Sequence, residues 1–289
     1  MNYRFLRFPG GKPKALTLSY DDGCRDDIRL VETLNEYGLR CTFNINSGLL
    51  GKNDRDWRLT AEEIRKYIVD TGHEIAIHGK MHMAPGLSRP VDCIQDVLNC
   101  RLELEATFDR IIRGMAYPDS GITNLQNEAD YANIRRYLQD LGIVYARSLD
   151  GDNDQFRLPS DWLAWMPTAH HRNPQVLEYA EKFLAVNPDK EKLYYSERYP
   201  RLFYLWGHSF EFTKYNEWDL LDRLCKVLGG HEDVWYATNM EVFEYLQCYN
   251  ALVFSADGKK VYNPTLTRVW FRTDNKTYAV APGQTMRID

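Results

Sequence analysis

The sequence predicts an α/β fold, a (β/α) barrel with a small antiparallel β appendage at its C-terminal end. Short apolar segments alternate with segments of helical periodicity through most of the chain, which is typical of a parallel sheet covered by helices. Polar residues directly follow several of the predicted strands. Residues 251–289 differ, because short alternating segments are separated there by turn sequences such as DGKK and PGQT.

The predicted elements follow one another as strand and helix from residue 15 onward. Strands are predicted at 15–20, 41–45, 74–77, 114–117, 144–147, 202–207 and 234–237. Helices are predicted at 26–37, 60–70, 91–110, 124–141, 174–184 and 217–228, with a last helix ending near 248. The first helix has apolar residues at helical spacing and a stop at Gly38, and the second begins with a capping-box sequence at Thr60. With about seven such units, a barrel is more economical than an open sheet.

The length of 289 residues is close to the upper limit for a single core, so we expect one main domain at 1–250 with the appendage at 251–289 packed on it. The net charge of −5 gives no reason to expect nucleic-acid binding. The sequence shows neither a signal peptide nor a long apolar span, so we expect no membrane partner and a cytoplasmic protein. The six cysteines lack CxxC spacing and are expected to be reduced thiols. Oligomeric state cannot be inferred.

Three polar clusters follow predicted strands: Asp21 with Asp22, His78 with His82, and His208. Functional groups of parallel α/β folds gather at the carboxyl ends of strands. On a helical turn, the four-residue spacing of His78 and His82 would put both imidazoles within reach of one metal ion. A chance pair on a solvated face is the commoner explanation of HxxxH alone, but a nearby carboxylate strengthens the metal hypothesis. One acid would hold the cation and its neighbour would act as general base.

These sequences resemble the motifs of the polysaccharide deacetylases, the NodB homology domain of carbohydrate esterase family 4. SYDDG resembles the family's TFDDG motif, HGKMH its H-S/T-x-x-H motif, and YLWGH its late LxLxH motif, over roughly residues 14–247. The resemblance implies a distorted (β/α) barrel of the NodB type. It also implies that Asp21 is the catalytic base, that Asp22, His78 and His82 bind the metal, and that His208 is the general acid.

The activity that the resemblance implies is metal-dependent hydrolysis of N-acetyl groups on a sugar or glycan. The cofactor would be one divalent ion, with zinc the first choice and Co, Ni, Mn or Fe as alternatives. Two other interpretations stay open: an amidohydrolase acting on a small non-sugar amide, and a carbohydrate-binding protein that has lost catalysis. The abundance of Tyr and Trp supplies aromatic surface for sugar rings, although core packing explains such residues equally well. The candidate substrate-binding residues are Tyr117, Asp119, Trp162, His170 and Trp206.

The sequence departs from the family motifs at three places, one of which is the DxxDW motif that Asp161-Trp162 only faintly echoes. Gly79 stands where the histidine motif has Ser or Thr, which removes a hydroxyl that could orient the loop. AYPDSG is the nearest counterpart of the RxPY motif, so Ala116 replaces the arginine and Asp119 the following aromatic. Another cation, such as Arg147, would then have to take the place of the arginine beside Asp21.

Overall fold

The computed structural model describes residues 3–51, 57–149, 153–190, 194–274 and 276–288. The strands are β1 (Phe5–Arg7), β2 (Lys14–Asp21), β3 (Cys41–Ile45), β4 (Glu74–Ile77), β5 (Gly114–Ala116), β6 (Tyr145–Arg147), β7 (Ala169–His170), β8 (Arg201–Gly207), β9 (Val234–Tyr236), β10 (Val253–Phe254), β11 (Lys260–Tyr262), β12 (Val269–Arg272), β13 (Thr277–Val280) and β14 (Thr285–Arg287). The α-helices are α1 (Asp26–Glu36), α2 (Ala61–Ile64), α3 (Pro90–Phe108), α4 (Tyr131–Asp140), α5 (Val176–Ala185), α6 (Phe210–Tyr215), α7 (Trp218–Leu228) and α8 (Asn239–Asn250). Short 3₁₀ turns lie at Pro9–Gly11, Ser47–Leu49, Trp162–Ala164 and Tyr195–Glu197.

The main sheet is parallel and curled, in the order β6-β5-β4-β3-β2-β8-β7. Strand β9 pairs with the first half of β2, whereas β3 pairs with its second half. Helices cover the outside of the sheet, and the largest apolar core lies between them and the strands. This half-barrel confirms the predicted α/β fold of the distorted (β/α) type.

Strand β2 lies at the centre of the sheet, and all eight of its residues are buried. Its hydroxyl side chains are satisfied inside the protein, because Thr17 donates to Asn239 Oδ1 at 2.8 Å and Ser19 accepts from Asn44 Nδ2 at 2.8 Å. A strand buried on both faces tolerates such residues only when each finds a partner. The strand thus carries Asp21, its last residue, into the centre of the upper rim of the sheet.

Two predicted helices differ from the observed ones. The predicted helix at 60–70 has the expected capping box at Thr60, but after Ile64 it continues as a π-helix at Arg65–Val69. The predicted helix at 124–141 begins only at Tyr131, where the Asp130 side chain accepts a hydrogen bond from the Asn133 amide at 2.9 Å. Asn127 and Glu128 have positive φ angles, which a right-handed helix excludes.

The C-terminal segment forms two small antiparallel sheets, as its turn sequences predicted. One has the order β10-β11-β14 and the other β1-β12-β13, so the first strand of the chain joins the last segment. The prediction did not include β1. Tyr245 of α8 links the two parts, since its hydroxyl donates to the Arg7 carbonyl at 2.7 Å and accepts from the Trp270 amide at 2.9 Å. The division at residue 250 stays a prediction.

Among the described residues, no helix combines the length and the apolar character that crossing a bilayer requires. All six cysteines are free thiols and five are buried, in agreement with the expectation of reduced core residues.

Candidate active site

The carboxyl ends of the seven strands meet at one rim, and polar groups from them point towards each other. In sheet order, the rim is formed by Arg147 of β6, Ala116 of β5, His78 after β4, Asn44 of β3, Asp21 of β2, His208 after β8 and His170 of β7. The rim therefore brings together chain segments that are up to about two hundred residues apart, as the parallel topology predicts.

Asp22, His78 and His82 form a cluster in which the candidate ligand atoms all lie within 4.8 Å of one another. The His82 Nε2 atom lies 3.7 Å from Asp22 Oδ1, and the two imidazole rings have centroids 4.8 Å apart. Two imidazoles and one carboxylate form a ligand set that a catalytic divalent metal ion accepts while positions stay open for water.

The environment of His78 fits a metal ligand. Its ring is 1% exposed, and its Nδ1 atom lies 3.0 Å from the Ala116 carbonyl oxygen. A carbonyl can only accept, so Nδ1 carries the hydrogen and Nε2 presents a lone pair. Within the described residues, this buried Nε2 has no hydrogen-bond partner. Burial lowers the pKa of His78 to about 4, despite the opposing charges of Asp21 and Asp22, which keeps the ring neutral.

Asp22 reaches the cluster through a turn in a left-handed backbone conformation, with φ of 85°. The turn is held by a hydrogen bond from the Asp22 amide to the Asn44 carbonyl at 3.0 Å. Arg58 lies beside it, with Nη1 3.1 Å from Asp22 Oδ1 and 3.1 Å from Asn46 Oδ1. A carboxylate has several lone pairs, so Asp22 can face both Arg58 and a metal ion.

Asp21 is 2% exposed and is held from two sides. Asn44 Nδ2 donates to its Oδ1 atom at 2.7 Å, and Arg147 Nη2 forms a short ion pair with its Oδ2 atom. His78 Nε2 and His208 Nε2 each lie 3.9 Å from Oδ2. Burial by itself would raise the pKa of Asp21, but the charge of Arg147, with the neighbouring imidazoles, outweighs it and holds the pKa below its ordinary value.

Arg147 takes the place of the arginine missing at Ala116, as the sequence suggested. Ala116 and Arg147 are paired residues of neighbouring strands, so their side chains extend from the same face of the sheet. The alanine has no side chain long enough to occupy the space in front of Asp21, and the guanidinium enters from the next strand. Arg147 also lies over the Trp206 ring, with Cζ 4.2 Å from the centroid.

The structure explains why a glycine stands at position 79, which the sequence did not reveal. Its φ is +70°, and a Cβ atom there would lie 2.3 Å from Asp96 Oδ2. Asp96 Oδ1 accepts a hydrogen bond from the Met81 amide at 2.7 Å, inside the HGKMH loop. A carboxylate from α3 thus supports the loop, in which Gly79 stands at the Ser/Thr position of the H-S/T-x-x-H motif.

His208 connects the Asp21 side of the rim with Glu211. Its Nε2 atom faces Asp21 and its Nδ1 atom lies 3.3 Å from Glu211 Oε2. Burial would lower the pKa of His208, but the hydrogen bond to Glu211 and the charges of Asp21 and Asp22 outweigh it, so the pKa is raised. Glu211 shifts the opposite way: burial would raise its pKa, and the hydrogen bonds from His170 and His208 lower it strongly.

The predicted substrate-binding residues divide into three groups. Trp206 and His170 lie at the rim, with ring centroids 4.6 Å apart. Tyr117 is fully buried and donates to the Leu163 carbonyl at 2.7 Å, and Trp162 is partly buried and packs against Trp165 and Phe243, so their part in substrate binding stays a prediction. Asp119 is exposed in the turn after β5, and its part in substrate binding stays a prediction.

Sequence reasoning missed four rim residues. Asn44 sits inside a predicted strand and gave no signal, and Asp96 lies on a helix far along the chain. Glu211 follows His208 by three residues in GHSFEF, a spacing that one helical turn brings together. His171 directly follows His170, at the same edge of the rim.

Comparison with known proteins agrees with these motifs. The family model of polysaccharide deacetylases matches residues 9–144, a little under half of the chain. No curated protein matches the sequence.

Solved structures share the fold at low sequence identity. A protein from Mycobacterium smegmatis that is named for this same family has 18% identity and a TM-score of 0.56, with 86% of this chain and 96% of that chain covered. The allantoinase Puue has 14% identity and a TM-score of 0.56, with 82% and 91% covered. The Streptococcus pyogenes deacetylase PplD has 16% identity and a TM-score of 0.40, and the match covers 46% of this chain and only 55% of that one.

The matched residues include the SYDDG and HGKMH motifs, whereas YLWGH lies beyond them. The family model of polysaccharide deacetylases matches a little under half of the chain, and solved structures of 14–18% identity share its fold, so the chain is similar to this family in sequence and in fold.

Proposed function

We propose that the protein is a metal-dependent N-deacetylase that releases acetate from an N-acetylated sugar or glycan. The observation that carries the proposal is the placement of Asp21, a buried carboxylate held by Arg147, with its Oδ2 atom 3.9 Å from both His78 Nε2 and His208 Nε2. A candidate base, a candidate acid and a metal ligand thus surround one small space.

Asp22, His78 and His82 would hold the divalent ion, and the unpartnered Nε2 atom of His78 supports this assignment. When bound, such an ion polarises an amide carbonyl and makes a water molecule more acidic. Zinc suits this mixed donor set, as do Co, Ni, Mn and Fe.

Asp21 would act as the general base. Its lowered pKa keeps the carboxylate ionised at neutral pH, so Oδ2 can take a proton from the attacking water. Arg147 and Asn44 fix both oxygens, which orients the carboxylate towards the space between the two histidines. His208 would act as the general acid, since its raised pKa favours the protonated ring and Nε2 can pass that proton to the leaving nitrogen.

Aromatic side chains beside His208 would bind the sugar. Phe210 has its ring centroid 5.3 Å from that of His208, and Trp57 packs on Phe210 at 5.4 Å. Both are partly exposed. Flat aromatic surface beside a metal centre suits the apolar face of a pyranose ring, and neither residue was named from the sequence.

The test is acetate release from N-acetylated chito-oligosaccharides by the protein loaded with Zn²⁺ or Co²⁺. We expect turnover that a chelator abolishes. In Asp21→Asn the turnover should fall by at least about a thousandfold, since the asparagine side-chain amide cannot take a proton from water. Asp219→Asn, an exposed acid on α7, is the matched control and should keep full activity.

Absence of acetate from every substrate in that panel would refute the sugar proposal. The panel should include small non-sugar amides, because one structure with this fold is named an allantoinase. Turnover of such an amide alone would establish the second interpretation. Tight sugar binding without turnover, together with no metal lost on His82→Ala, would establish a degenerate binding protein.

A further inference from the structure

A second group of metal-binding side chains lies at the same rim, outside the Asp22–His78–His82 cluster. His170 is the last residue of β7, His171 follows it, and Glu211 lies in the first turn of α6. The candidate ligand atoms of these three residues all lie within 4.8 Å of one another. The motifs of the sequence analysis do not include this group, and the proposed reaction makes no use of His171.

The spacing of the three side chains corresponds to the edges of a small coordination polyhedron. His170 Nε2 lies 3.0 Å from Glu211 Oε2, and His171 Nε2 lies 3.5 Å from the same oxygen. Zinc–nitrogen and zinc–oxygen bonds of about 2.0–2.2 Å at a tetrahedral angle separate neighbouring ligand atoms by roughly 3.3–3.5 Å. An ion could therefore fit with small shifts of the ligand atoms, once the His170 ring gives up the hydrogen bond that its Nδ1 atom accepts from the Arg172 amide at 3.2 Å and Nε2 loses its hydrogen.

His171 provides the second, independent observation. The residue is 0% exposed, and neither ring nitrogen has a hydrogen-bond partner among the described residues. Its contact with Glu211 at 3.5 Å is too long and poorly aligned to count as one. A buried polar group without a partner is costly, so a ligand for Nε2 would relieve a real penalty.

The residues around His171 hold its buried ring in a fixed position. The ring packs against Phe212 and Tyr20, with centroid distances of 4.3 and 5.6 Å, and these two rings also contact each other at 6.2 Å. Gly207 makes the space, because a Cβ atom there would lie 1.8 Å from His171 Nδ1. Packing against these two aromatic rings and the space left by Gly207 hold the ring in place, with Nε2 3.5 Å from Glu211 Oε2.

We propose that His170, His171 and Glu211 bind a second divalent transition-metal ion, separate from the ion of Asp22, His78 and His82. Two imidazoles and one carboxylate favour zinc, cobalt, nickel or iron over magnesium and calcium, which prefer oxygen ligands. Three protein ligands leave a fourth position for water or a substrate atom. The bound ion would also fix Glu211, whose carboxylate lies 3.3 Å from His208 Nδ1, and so would hold that ring in its orientation towards Asp21.

Metal content decides the proposal without any enzymatic assay. The full-length protein is stripped with a chelator, incubated with excess Zn²⁺, desalted and analysed by mass spectrometry of the metal. We expect about two ions per chain in the wild type, about one in His82→Ala, about one in His170→Ala and almost none in the double variant. His231→Ala, a histidine bonded to the Val227 carbonyl and outside both groups, is the matched control and should retain both ions.

His170 is partly exposed, so its replacement should leave the fold intact, which circular dichroism verifies. Glu211→Gln provides a second variant that should lose the same ion. The visible spectrum of the Co²⁺-loaded protein should lose one set of bands in His170→Ala and the other in His82→Ala. One ion in the wild type that His170→Ala keeps would overturn the proposal and leave the group as a hydrogen-bond network around Glu211. The deacetylase proposal fails on different evidence, the absence of acetate release.

Discussion

Replacing Arg147 with Met should destabilise the protein by about 3 kcal/mol, because Asp21 then stays buried without its cation. Both side chains are almost fully buried, at 0% and 2% exposure, so water screens the pair very little. Removing one partner of a buried ion pair costs about 3–5 kcal/mol. Arg147 leaves Nε and Nη1 without partners among the described residues, and the loss of these unsatisfied groups offsets part of the cost. The lower end of the range is therefore expected.

A double-mutant cycle isolates the pair from the other contacts of Arg147. The methionine also loses the contact with Trp206, but that loss occurs in both Arg147 variants and cancels. We expect Arg147→Met and Asp21→Asn each to cost about 3 kcal/mol and the double variant to cost clearly less than their sum, with a coupling energy of at least about 2 kcal/mol. Urea denaturation in the presence of a chelator measures all four proteins without interference from bound metal.

The pair Arg101–Glu105 on α3 is the matched control. It is also an arginine–carboxylate pair, with an N–O distance of 2.9 Å, but its side chains are 20% and 27% exposed. Its coupling energy should stay below about 1 kcal/mol. If the cycle of Arg147 and Asp21 gave a coupling no larger than that of the control, the reasoning that burial strengthens the pair would be refuted.

Two further predictions concern residues beside the site. Gly79→Ala should lower the free energy of unfolding by about 2 kcal/mol and weaken metal binding, because its Cβ would lie 2.3 Å from Asp96 Oδ2 at a φ of +70°. In the Asp96→Ala background, urea denaturation should show that part of this stability is recovered. No recovery would exclude the steric cause. Burial and the charge of Arg40 lower the pKa of His73 to about 4, so the unfolded chain binds the extra proton below about pH 6.5 and stability falls as the pH drops towards 4. Relative to His73→Gln, which cannot take that proton, the wild type should therefore lose about 2 kcal/mol between pH 7 and pH 5, and equal pH dependence of both proteins would contradict the assignment.

Most strands of the half-barrel were predictable because each is a short buried segment between turn residues. The strand at Cys41–Ile45 and the strand at Glu74–Ile77 have the predicted bounds. Local sequence patterns do not predict an element whose pairing partner is distant in the chain. Strand β1 is only three residues long, and its partner β12 lies at the other end of the chain, so no local periodicity marks it.

The residues of the candidate site were also predictable only where a local sequence signal marks them. The acids and histidines at strand ends were visible because a polar residue after an apolar strand is a local signal. Asn44 and Asp96 act from inside a strand and from a helix, where their sequence surroundings look ordinary. Tyr117 directly follows β5, but its ring turns into the core, since a strand-end residue can face either side of the sheet.

The pairing of Leu6 with Phe271 affects how the protein is made. The first strand leaves the ribosome long before its partner exists, and at about 5–20 residues per second it waits for roughly 15–50 s. During that interval an apolar segment with open backbone hydrogen-bonding groups is available to other nascent chains. Synthesis of β12 therefore completes this sheet, and a chain released before β12 is made would carry an unpaired, aggregation-prone strand.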